Sequence, residues 1–176
     1  MEETTPTITT RAAGVRYGLI LSLISIIYFL VMSMMNINMV EGPARWLSLV
    51  FTAVLIFLAH KYYKDIGDSY MSYGQGVGIA FWTTLVSTVI YSIFFYVYVK
   101  FVDSSFMDMI REQQIEQMEA RGMSDEQIEQ AMKFAEAFTS PEALLGFGIF
   151  GGVLGGVIIG LIVTIFTQNK RPEMGM

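Results

Sequence analysis

Residues 143–167 read ALLGFGIFGGVLGGVIIGLIVTIFT, a run of twenty-five residues with no charge. In water such a stretch has nothing to face outward, whereas a bilayer asks for about 20 consecutive apolar residues to cross a hydrocarbon core of ~30 Å. Gln168-Asn169-Lys170-Arg171-Pro172 ends the run with charge and proline, and Ser140-Pro141 suits its start as N-cap and first helical residue. The segment therefore reads as a membrane-spanning helix.

Three other stretches read the same way. Tyr17 to Met35 is uncharged over nineteen residues, which rise ~29 Å as a helix. Ala44 to His60 carries Trp46 near one end and Tyr62 and Tyr63 near the other, where interfacial aromatics belong. Tyr73 to Val99 is long enough to cross with tilt, and Lys100 and Asp103 close it. Asn36 to Pro43 offers the first turn and Gly67 the next. Arg11 and Arg16 ahead of the first run raise the alternative of a cleaved signal peptide, but the run is longer than a signal core and no small-x-small site follows, so it reads as a retained helix.

Composition agrees. Of 176 residues, 53% are apolar and 15% charged, against roughly 25% charged in soluble proteins. The net charge of −5 and the lack of a concentrated basic face argue against a nucleic-acid partner. Cysteine is absent, which removes disulfides and thiolate sites, and the single histidine cannot build a multi-histidine metal centre. Beside Lys61, His60 reads as an interfacial residue without a placed partner.

Between the third and fourth spans lies a different kind of segment. Asp103 to Glu142 holds ten acidic residues against Arg111, Arg121 and Lys133. Phe106, Met107, Ile110 and Met118 form one apolar stripe, and Ile128, Ala131, Met132, Ala135 and Phe138 a second. Gly122 can end the first helix, and Ser124-Asp125-Glu126-Gln127 has capping-box spacing for the next. The fold expected is all-α: a single membrane domain over 1–176 with transmembrane helices at about 14–36, 44–62, 73–101 and 142–168, and an acidic extramembrane helical hairpin at about 104–139.

Lysine and arginine set orientation. With the N-terminus inside, the cytoplasmic side holds Arg11, Arg16, Lys61, Lys64, Lys170 and Arg171, and the other side Arg45, Lys100, Arg111, Arg121 and Lys133. That margin gives N-in and C-in and puts the hairpin outside.

In the last helix, Gly148, Gly152, Gly156 and Gly160 recur every four residues, with Gly151 and Gly155 as a second pair. Glycine at this spacing lets another backbone approach closely. Packing within the chain is the first reading and homo-oligomerisation the second. Gly14 with Gly18, and Gly74 with Gly78, are weaker instances that arise readily by chance. The third span carries Thr84, Ser87, Thr88 and Tyr91 on one broad face, which reads first as interhelical hydrogen bonding and second as a polar path for a solute. Deep in the spans no Asp, Glu, Lys, Arg or His is expected, which lowers the case for a proton-coupled pump.

The run Asp68 to Gly78, the aromatic third span through Phe101-Val102-Asp103, Ala120 to Ile128 and Ser140-Pro141 together resemble the family catalogued as domain of unknown function 4199. These are small membrane proteins found mainly in Bacteroidetes. The resemblance covers most of the chain and implies a bacterial cytoplasmic-membrane protein. It brings no activity, cofactor or catalytic residue.

With no acid, base, nucleophile or metal ligands clustered in one layer, the reading is a non-enzymatic scaffold without cofactor. Its hairpin would offer Met118, Ile128, Met132 and Phe138 to a membrane or periplasmic protein partner. The alternative is a small channel or transporter lined by the polar face of the third span.

Overall fold

In the computed structural model, residues 8–35 and 43–171 are described. The turn expected over 36–42 lies outside them. The described residues form six α-helices: α1 Thr10–Met34, α2 Pro43–Ile66, α3 Tyr73–Val97, α4 Ser105–Ala120, α5 Asp125–Thr139 and α6 Pro141–Thr167. A π-helical turn, Tyr98–Val102, follows α3.

Four of the helices are long and apolar enough to cross a membrane: Thr10–Met34, Trp46–Ile66, Tyr73–Val102 and Pro141–Thr167. At most 22% of the most apolar window of each is buried inside the protein. Leu23, Phe150, Leu154, Ile162 and Phe166 are among the large side chains left outward. Apolar surface on that scale needs a lipid solvent, so the chain is built as a multi-pass membrane protein.

The helix ends follow local chemistry. The Thr9 side chain accepts from the Ala12 N–H and starts α1 four residues before the expected position 14. Gly122, at φ 76°, takes the left-handed position after α4, and the N–H of Met123 returns to the carbonyl of Met118. Ser124 and Gln127 form both halves of a capping box on α5, satisfying two otherwise orphaned amides. Ser140 Oγ accepts from the Ala143 N–H at 3.2 Å, with Pro141 in the first turn of α6. After α2 the outcome differs from expectation. The helix runs on to Ile66, and the left-handed residue is Ser69, at φ 66°, rather than Gly67.

The chain divides into two compact units, Met1–Tyr91 with Gly151–Met176, and Ser92–Phe150. In the first, Ala13, Ala59, Met71 and Ile79 form a buried cluster flanked by Tyr17, Tyr62 and Tyr63. Tyr28 stacks edge-on to Phe51 at 5.6 Å and its hydroxyl donates to the Ala44 carbonyl at 2.7 Å, tying α1 to α2. In the second, the π turn is closed by the Asp103 N–H donating to the Tyr98 carbonyl. The Asp103 carboxylate then accepts from the Ser105 hydroxyl and amide at 2.6 and 3.1 Å, bonds that open α4 and hold its carboxyl below the usual range.

Candidate functional site

In the first unit α3 meets α6 along the glycines. A Cβ built on Gly156 would lie 2.2 Å from Thr84 Cγ2, one on Gly152 2.6 Å from Thr88 Cγ2, and one on Gly160 2.3 Å from the Ala80 Cβ. All are far inside the ~3.5–4.0 Å of an ordinary carbon contact. Among the described residues nothing outside the helix's own backbone lies within 4 Å of a Cβ placed the same way on Gly151 or Gly155. In the second unit a Cβ built on Gly148 would lie 3.5 Å from Ser92 Oγ, an ordinary contact. A Cβ built on Gly14 would lie 2.5 Å from the Trp82 Cβ and one on Gly18 2.8 Å from the Thr83 carbonyl oxygen, while one on Gly74 would meet nothing within 4 Å among the described residues.

Of the polar residues of α3, Thr84 and Ser87 are buried and Thr88 and Tyr91 partly so. The Thr84 hydroxyl, like that of its neighbour Thr83, bonds within the helix rather than between helices. Thr83 Oγ1 donates to the Ile79 carbonyl at 2.9 Å and Thr84 Oγ1 to that of Ala80 at 3.0 Å, each within its own helix. Thr164 does the same to Gly160 at 2.6 Å. Tyr91 packs edge-on to Phe29 at 6.3 Å.

A buried polar link between helices is centred on His60. Expected to lack a placed partner, this side chain is fully buried, with Nε2 2.9 Å from the Gly76 carbonyl of α3 and Nδ1 2.8 Å from Thr167 Oγ1 of α6. A carbonyl only accepts, so Nε2 carries the hydrogen and, in the neutral ring, Nδ1 accepts from the threonine hydroxyl. That hydroxyl is also 2.9 Å from the Val163 carbonyl, and its one hydrogen serves one acceptor at a time. Gly76 is needed for the approach, because a Cβ there would stand 2.5 Å from Thr164 Cγ2. Lys64, one turn beyond His60, donates to the Thr167 carbonyl at 2.9 Å and closes the end of α6.

The segment after α6 then pairs with the α2–α3 connection. Met71 and Asn169 exchange two backbone bonds of 2.8 and 2.9 Å, Asn169 Nδ2 donates to the Ser69 carbonyl, and Arg171 pairs with Asp68. The Asp68 carboxyl is held below the usual range, first by the Tyr70 amide and then by Arg171. Arg16 donates to the Tyr62 hydroxyl at 2.6 Å while lying 4.4 Å from that ring, and Arg11 lies 5.0 Å from Trp82. The sequence held one sign of this lock: His60 and Lys64 are four apart and share a helix face.

In the second unit Lys100 Nζ donates to Tyr96 Oη at 2.7 Å and to Glu142 at 2.9 Å. On α5 the stripe residues separate into two environments. Ile128 and Met132 are 8% and 7% exposed, whereas Phe134 and Phe138 are 72% and 44% exposed, their rings 5.1 Å apart. Phe138 continues to Phe147 at 5.6 Å. Met118 on α4 is half-buried. Among the described residues no three His, Asp or Glu side chains stand together as a metal site.

A family model described as "Protein of unknown function (DUF4199)" matches residues 16–169. No curated protein and no solved structure matches the chain.

Proposed function

The chain belongs to the DUF4199 family of proteins of unknown function, and from that premise we propose that it is a non-enzymatic scaffold of the bacterial inner membrane. In this reading the four long helices cross the bilayer with both termini inside, and α4 and α5 stand outside as an acidic hairpin that binds a membrane or periplasmic protein. The observation that carries it is the Phe134–Phe138 pair. Two phenylalanines in tilted contact, both exposed on α5 while Ile128 and Met132 of the same helix are buried, form an aromatic anchor of the kind that dominates protein interfaces. The acidic excess of the segment Asp103 to Glu142 gives a partner a charge to match.

The channel alternative has less support. Thr84 and Thr88 turn their methyl groups toward Gly156 and Gly152, and the Thr84 hydroxyl is bound to its own helix. A conducting path needs open, hydrated acceptors. Gly148, Gly152, Gly156 and Gly160 act in this reading as contacts within the chain. The open pair Gly151 and Gly155 is where a second copy would pack as a homo-oligomer.

Photo-crosslinkers at Phe134 and Gln114 in native membranes test the proposal, with one at the outward-facing Phe150 as the lipid control. One protein captured from both α4 and α5, absent from the Phe150 sample and lost on Phe138→Ala, is the expected result. Lipid adducts alone at Phe134 would instead make α5 a helix lying on the bilayer and would end the partner reading.

A further inference from the structure

The second unit encloses a partly open cavity of about 420 Å³ that the scaffold reading leaves unused. Its volume falls within the ~300–1,000 Å³ of ligand sites. Part of its wall comes from Val99 and Lys100, near the end of the span Tyr73–Val102, and part from Ser140 and Pro141, where the span Pro141–Thr167 opens. In a chain that crosses a bilayer those positions stand at the level of the lipid headgroups.

The rest of the lining is amphiphilic. Met107 and Ile110 of α4 and the buried Met132 of α5 supply an apolar face. Charge of both signs borders it: Lys100 and Arg111 line the cavity, as does Asp108, and Glu142 is bound to Lys100. Asp108 is exposed at the start of α4 and forms no ion pair among the described residues. A purely anionic headgroup would leave both carboxylates opposed to it. A choline headgroup brings a cation without an N–H to donate.

We infer that this cavity binds a phosphatidylethanolamine molecule from the surrounding leaflet, with the phosphate toward Lys100 and Arg111 and the ammonium donating to Asp108. Charge-assisted bonds from three N–H donors to a carboxylate are what separate ethanolamine from choline at equal net charge. The apolar face takes the upper part of an acyl chain, and the open side lets the rest remain in the bilayer. Only the membrane-spanning reading is required, so the site stands whether or not α5 meets a protein partner.

Native mass spectrometry of the delipidated full-length chain in detergent tests this, with phosphatidylethanolamine, phosphatidylcholine and phosphatidylglycerol of matched acyl chains titrated in turn. Phosphatidylethanolamine should bind about tenfold tighter than phosphatidylcholine, equivalent to ~1.4 kcal/mol. Asp108→Asn should remove that preference, while Arg111→Gln should weaken both lipids together. Met107→Trp, which fills the cavity, should abolish the ethanolamine adduct with helicity unchanged, and it serves as the test if Arg111→Gln does not fold. Soluble glycerophosphoethanolamine should compete weakly, since it lacks the chain. Equal affinity for the three lipids, a preference for phosphatidylglycerol, an ethanolamine preference that survives Asp108→Asn, or equally tight binding of the soluble headgroup would each overturn the assignment.

Discussion

Gly155→Ala and Gly156→Ala add the same methyl group to neighbouring positions of one helix, and the contacts around them differ completely. Intrinsic helix propensity favours alanine by up to ~1 kcal/mol at either site, so that gain cancels in the comparison. At 155 the new Cβ meets nothing within 4 Å among the described residues. At 156 it would lie 2.2 Å from Thr84 Cγ2 and 2.6 Å from Thr84 Cβ. Rotating the threonine relieves the first contact but not the second, because Cβ is fixed to the backbone, and a β-branched χ1 in a helix has few alternatives. The α3–α6 separation must widen instead, which an overpacked core resists by about 1–3 kcal/mol. Gly156→Ala should therefore be about 1–3 kcal/mol less stable than Gly155→Ala, measured by denaturing-detergent titration from mild micelles and followed by far-UV circular dichroism. Thr84→Ser, which deletes Cγ2 and leaves Cβ, should restore part of the loss. Stabilities equal within about 0.5 kcal/mol, the scatter of uninvolved sites, would refute the close α3–α6 contact.

The other expectations concern single polar groups. His60→Phe keeps the bulk of the buried ring but leaves the Gly76 carbonyl without its donor, and should cost about 1–3 kcal/mol in the same titration; an unchanged midpoint would mean that the ring bonds contribute nothing. Thr84→Val keeps the methyl that faces Gly156 and deletes only the hydroxyl, so the fold should tolerate it, and reconstituted wild type and variant should show the same absence of solute flux. Flux in the wild type that vanishes in the valine variant would establish the channel reading. Asp103 has a carboxyl depressed below its ordinary value of about 4 by the Ser105 bonds, so its contribution to the start of α4 is present above that value and is lost as pH falls through the lower folded value. Amide exchange at Ser105 and Phe106, corrected for intrinsic pH dependence, should stay protected at pH 5 and open only below about pH 4; opening between pH 5 and 6 would contradict that linkage.

What the sequence made legible was local. Charge-free runs gave the four long helices, and Ser140-Pro141, Gly122 and Ser124–Gln127 marked helix ends because caps act within one turn. Contacts between distant segments were not legible. His60 and Thr167 are 107 positions apart, and no pattern along either helix says that they meet. The glycine pairs make the same point. Gly14–Gly18 and Gly151–Gly155 share one spacing, yet the first touches α3 closely and the second faces open space. Spacing reports that a helix has a groove, whereas filling it depends on rotation and register set by all the helices together.

The threonines of α3 explain why a polar face and a glycine face belong to one design. In lipid a hydroxyl cannot be left to water, and the nearest acceptor is the carbonyl one turn back in its own helix. Thr84 takes that carbonyl at 3.0 Å, which satisfies the oxygen and fixes the side chain with its methyl toward Gly156. Its neighbour therefore meets a stiff apolar knob, and a glycine groove is the complementary surface. Read by residue type, Thr84 and Thr88 suggest a path for polar solutes. Read by atom, the methyl of each is the part nearest α6, and for Thr84 the hydroxyl bond that hides its polarity is also what makes the close packing possible.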